Sequence, residues 1–248
     1  MSAAHVLFNL FLGLISSYFC WRTYERYTES LQRSLFHLFL MFLCYSISGF
    51  LFGFYHTGVE TLHPNIDFVV RHLVHFTLVL SGIFLLHTTF CVFVKHRRRR
   101  TFKSTVILLS LVPFAYILYH SIRYDDSDTG GYDVIVLVYS VLVGINSLWT
   151  LVRLLFPFQS TTRYKRTYCL ICVLSSVFVF IGTFLFFKFQ DSNSVAGLNG
   201  GDFHHLATLV YVCLLHFLHP NCLDPIDAVL LCDDDFGEFL ITNLNNIP

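Results

Sequence analysis

Apolar residues run through the chain in long blocks separated by short polar connections. Seven blocks stand out, near 4–21, 35–56, 68–94, 104–121, 133–155, 168–188 and 203–219. A helix needs about 20 apolar residues to cross the ~30 Å hydrocarbon core of a bilayer, and the blocks come close to or exceed that. None alternates apolar and polar positions with the period of two that a membrane barrel strand requires. Backbone groups in lipid must then be satisfied within each segment, which dictates helices. The pattern predicts an all-α, polytopic membrane protein with seven transmembrane helices within residues 1–220. Residues 221–248 carry six acids and no Lys or Arg, and are predicted to form a mobile tail.

Composition strengthens the membrane assignment. Of 248 residues, 55% are hydrophobic and 13% charged, against about 25% charged in a typical soluble domain. The formal net charge is zero, which leaves no electrostatic footing for nucleic acid. Membrane lipid is the expected partner, in an endomembrane or the plasma membrane. Oligomeric state is left open.

The basic residues orient the chain. Arg22, Arg26 and Arg33 follow the first block, Lys95, Arg97 to Arg100 and Lys103 follow the third, and Arg163, Lys165 and Arg166 precede the sixth. The alternate connections hold Glu60, Asp67, Asp125, Asp126, Asp128, Asp191 and Asp202. Basic connections stay cytosolic, so the N-terminus is predicted outside and the C-terminus, with its acidic tail, inside. Cysteines fall at predicted cytosolic ends or mid-span, so no extracellular disulfide framework is expected. Cys169 and Cys172 form a CxxC inside an apolar block, where small residues serve helix packing. Gly49 and Gly53 form a GxxxG, a motif of close helix contact.

Thirteen histidines sort by depth. His5, His56, His72, His75, His120, His204 and His205 fall at predicted outer span ends, and His37, His87, His96, His216 and His219 at cytosolic ones. An ionisable side chain at such depth is costly unless it faces the bundle interior and finds a partner. Imidazoles and carboxylates are also the common ligands of zinc and related divalent metals. A candidate metal site follows, with His75, His120 and His204 or His205 as ligands, completed by His5 or His56. Asp202 or Glu60 would orient a ligand imidazole. An ion so held, with a water in its open position, hydrolyses esters or amides. The competing explanation is interfacial or helix-bridging histidine.

A second chemistry comes from spacing. His72 and His87 are 15 residues apart, and His205 and His219 are 14 apart. On a helix this returns a side chain to nearly the same face about 21 Å along the axis. Two such pairs could ligate two haems stacked across a bilayer.

Some stretches resemble a known family. SAAHVLFNLFLGLISSYFCW, VHFTLVLSGIF (74–84) and YILYHSIRYDD (116–126) are similar to segments of the transmembrane protein 45 family. The resemblance places His5, His75, His120 and one of His204/His205 on family histidines, and implies seven helices of unassigned biochemistry. A fainter similarity is to seven-helix metal hydrolases of the alkaline ceramidase and adiponectin receptor type. Those carry an HxxxH in the last span, whereas here His204 and His205 are adjacent and His216 and His219 are three apart. The expected function is metal-dependent hydrolysis or binding of a lipid-like molecule in a histidine-lined outer pocket. Di-haem electron transfer and a non-catalytic scaffold or trafficking role are the alternatives.

Overall fold

The computed structural model describes residues 3–55, 64–93, 115, 130–156, 163–189, 198 and 200–218. Six helices account for nearly all of them: α1 (Ala3–Ser30), α2 (Arg33–Tyr55), α3 (Pro64–Phe93), α4 (Gly130–Leu155), α5 (Arg163–Lys188) and α6 (Gly200–Leu218). The chain is a multi-pass, helical membrane protein. Among the described residues, five helices are long and apolar enough to cross a bilayer, at Val6–Ser30, Arg33–Phe54, His72–Phe93, Val134–Leu155 and Arg166–Lys188. The predicted span 104–121, the basic connection 95–104 and the acidic tail lie outside the described residues. The predicted span 203–219 is α6, whose 19 residues include Asp202 and three histidines.

The first helix differs most from its predicted bounds. The apolar block ends near residue 21, but the helix continues to Ser30. At 1.5 Å per residue its 28 residues reach about 42 Å, well beyond a hydrocarbon core. The added turns are polar. Arg22 and Glu25 pair at 2.9 Å on an exposed face, worth well under about 1 kcal/mol. Thr28 and Ser30 donate their hydroxyls to the carbonyls of Glu25 and Arg26. Loss of apolar character ends a span without ending a helix. The chain turns at Leu31, whose φ of 53° lies in the left-handed region. The Gln32 carbonyl then accepts from the amides of Leu35 and Phe36, opening α2. Pro64 begins α3, a position where proline's missing N–H costs nothing.

The helices close into a ring. Each packs on its neighbours in the chain, α3 packs on α4, and α6 returns against α1. Close approach is built from small residues. A Cβ added at Gly49 of α2 would meet the backbone of Gly13 and Asn9 on α1, so the GxxxG packs within the chain, against α1. Ser17 and Ser46 hydroxyls lie 2.6 Å apart on the same seam. Between α4 and α5, Ser140 bonds Thr183 at 2.7 Å and Ser176 donates to Ser147 at 2.8 Å. The two bonds pair residues whose numbers run in opposite directions, as antiparallel helices demand. Most hydroxyls also donate to a carbonyl three or four residues back, Thr77, Thr88, Thr150 and Thr208 among them. In lipid this satisfies the hydroxyl without water.

Leu7, Phe11, Leu14, Tyr18 and Trp21 recur at alternating spacings of four and three along the outward face of α1, all exposed. In a soluble protein such a stripe would be an aggregation hazard, whereas here it meets acyl chains. The ring's centre is filled by aromatic side chains reaching across it, chiefly Phe42, Tyr45, Tyr139 and Tyr211.

Candidate functional site

The ring has two chemically distinct ends. Phe93 of α3 meets Tyr168 of α5, and His37 of α2 meets His87 of α3. His216 of α6 lies flat on Phe19 of α1, centroids 3.7 Å apart and planes 3° from parallel. These contacts gather the end of α1, the start of α2, the end of α3, the start of α5 and the end of α6 at one end, here the arginine end. Arg22, Arg26, Arg33 and Arg166 belong to it by helix position, and Arg153 ends α4 over the Trp149 ring. The opposite end, the Asp202 end, carries Lys188 against Phe184 and Phe189.

Asp202 sits in the first turn of α6, where a carboxylate favours the helix dipole. It is fully buried, because the start of α6 is pressed onto α5. A Cβ at Gly200 would collide with the Phe186 backbone, and one at Gly182 with the Ala207 side chain. Only glycine at both positions permits this approach. His75, His204 and His205 are buried as well. Histidines anchored in a headgroup layer would show exposed rings, and these three do not.

His204 and His205 are 100° apart around their helix, so they face different neighbours. His204 meets Tyr139 of α4 and Phe186 of α5, ring centroids 6.2 and 6.0 Å away. His205 meets Phe52 of α2 at 5.0 Å. His75 has His72 beside it at 6.3 Å on α3. The adjacency of His204 and His205 thus splits them between two sides of the interior.

The predicted metal ligands do not converge among the described residues. Zinc requires three or four donors at about 2.0–2.3 Å. Among the described residues no three His, Cys, Asp or Glu side chains are grouped to hold an ion. His75, His204 and His205 are therefore not by themselves an ion site. The His5 side chain lies outside the described residues, as do His56, His120 and Glu60. The spacings suggested for haem resolve into other neighbours: His87 lies 5.2 Å from His37, and His205 lies beside Phe52. His219 is outside the described residues. Cys169 and Cys172 are buried in α5.

A cluster missed by sequence reasoning lies inward of His204. Tyr45 of α2 and Tyr139 of α4 share a hydrogen bond of 2.5 Å across the ring. The Ser81 hydroxyl of α3 adjoins the Tyr45 phenol, and Tyr211 of α6 lies within electrostatic reach of both tyrosines. All of these are buried. Two polar atoms, His204 Nδ1 and Tyr211 Oη, have no hydrogen-bond partner among the described residues. A buried polar atom left so costs about 1–3 kcal/mol. The signal in the sequence was position: tyrosine favours the membrane–water interface, yet these three stand in the middle of apolar blocks.

Comparison with family models, with curated proteins and with solved structures finds no match for this chain.

Proposed function

We infer that the protein binds an amphiphile whose polar head enters the interior at the Asp202 end and meets the His204–Tyr139–Tyr211 cluster. The observation that carries this reading is the burial of His204 and Tyr211 with polar atoms unpartnered among the described residues. Ionisable groups inside membrane bundles are expensive, and mark substrate or ion pathways by default. The apolar flanks of the interior suit an acyl chain, and the polar groups suit its head. Orientation follows from the arginine asymmetry between the ends: the arginine end faces the cytosol and the Asp202 end the opposite side. The likeness to the transmembrane protein 45 family fits this arrangement of outward histidines. Metal-assisted hydrolysis of the bound molecule would need further donors from His5, His56 or His120.

The test is native mass spectrometry of the protein released from detergent micelles. Wild type retains a bound amphiphile, and His204→Leu, which keeps bulk but removes both ring nitrogens, loses most of it. Equal retention by both would remove the binding reading and leave a structural role for His204.

A further inference from the structure

We propose that the head group bound at this site is electrically neutral and bears both a hydrogen-bond donor and an acceptor, as a hydroxyl or an amide does. The proposal rests on the binding reading above and adds the chemistry of the head.

The argument starts from where the protons go. Ser81 donates its hydroxyl to the Leu78 carbonyl at 2.6 Å, so toward Tyr45 it offers lone pairs alone. The Tyr45 proton is drawn to Ser81. The 2.5 Å bond between the two phenols must then be donated by Tyr139. The chain runs Tyr139 to Tyr45 to Ser81 to the Leu78 carbonyl, and each hydroxyl spends its single proton inward. What remains at the outer end is the Tyr139 oxygen, with accepting capacity and no proton to give. A ligand must donate to it.

The other two points complete the specification. Tyr211 Oη is buried and unpartnered among the described residues, so it can donate to a ligand oxygen. His204 Nδ1 is likewise unpartnered and can serve either way according to its tautomer. Its neighbours, Phe186 and the Tyr139 ring, are apolar faces. The three groups together ask for one donor and one acceptor on the ligand.

Charge excludes the commoner heads. The arginines of α1 and α2, with Arg153 and Arg166, belong to the opposite end of the ring, and Lys188 is on the exposed face of α5. No described cation is positioned to neutralise a phosphate brought beside Tyr139, and a buried unpaired ion costs several kcal/mol. Asp202, buried at the same end, makes an anion less welcome still. A quaternary ammonium head has no proton to donate to Tyr139.

The experiment uses full-length protein in nanodiscs and three photoactivatable probes with identical acyl chains. One ends in a diacylglycerol hydroxyl, one in phosphatidic acid, and one in phosphatidylcholine. The proposal predicts that the diacylglycerol probe labels the wild type at least tenfold more than either charged probe. It also predicts that unlabelled diacylglycerol competes, and that Tyr211→Phe and Tyr139→Phe each cut labelling severalfold. Competition on the wild type keeps the test independent of how the variants fold. Equal labelling by all three probes, still reduced in both variants, would overturn the neutral-head assignment and leave the binding site standing. Labelling that is weak for every probe and unchanged in the variants would overturn the site itself.

Discussion

Replacing Gly49 by Ala tests the packing that holds the ring together. The new Cβ would lie 2.5 Å from the Gly13 nitrogen, 2.8 Å from the Asn9 carbonyl oxygen and 2.9 Å from the Gly13 Cα. All three are backbone atoms of α1, so no side chain can swing aside. Ordinary contact begins near 3.4 Å, so α1 and α2 must part locally by about 0.9 Å on these distances. Overpacking of this kind costs about 1–3 kcal/mol. The Ser17–Ser46 bond at 2.6 Å is one turn away and would stretch with it, adding about 0.6 kcal/mol on the average for bonds between membrane helices. Alanine's better helix propensity returns up to about 1 kcal/mol. The net expectation is a loss of about 1–3 kcal/mol, the balance of these principles. It would be read as a lowered midpoint in reversible unfolding in mixed micelles. Two companions sharpen the test. Gly144→Ala meets only the far end of the Phe180 ring, at 3.3 Å, and should be nearly neutral. Ser46→Ala should add little to Gly49→Ala, since both act on one seam. If Gly49→Ala proves as stable as the wild type, α1 and α2 do not approach as described and the ring is wrongly closed.

Tyr45→Phe and Tyr139→Phe should each destabilise by about 0.5–1.7 kcal/mol, and the double variant by less than their sum, because they share one bond. Leu31→Gly should stabilise by up to about 1 kcal/mol in the same unfolding assay, since the φ of 53° strains a leucine and not a glycine. His216→Phe should unfold close to wild type and His216→Ala well below it, because the ring lying 3.7 Å from Phe19 contributes by stacking. Chelation before native mass spectrometry should leave the bound amphiphile in place if the polar cluster alone holds the head; its loss would give a metal ion a part in the site.

The membrane fold was legible because long apolar blocks speak locally, through the chemistry of a single segment in lipid. The helix ends were less so. α1 runs to Ser30 because backbone hydrogen bonding continues where hydrophobicity stops, and only the second of these defines a span. The GxxxG was visible, but its partner Gly13 is on another helix and carries no motif of its own. The histidines were placed at the correct ends, yet their neighbours depended on ring closure, which no local pattern encodes. So His204 and His205, treated as interchangeable ligands, turn to different sides. The tyrosine cluster was overlooked because each member sits singly inside an apolar run. Its meaning arises only when α2, α4 and α6 bring Tyr45, Tyr139 and Tyr211 together.

The central claim is that a head group contacts His204 inside the ring. The direct measurement is the ¹⁵N spectrum of histidine-labelled protein in nanodiscs, with the His204 resonances assigned by His204→Gln, during titration with a short-chain diacylglycerol. The account predicts a saturable shift of His204 Nδ1, with the His37, His87 and His216 signals of the arginine end unmoved. An Nδ1 signal that stays fixed throughout the titration, or that moves together with those of the arginine end, would contradict it.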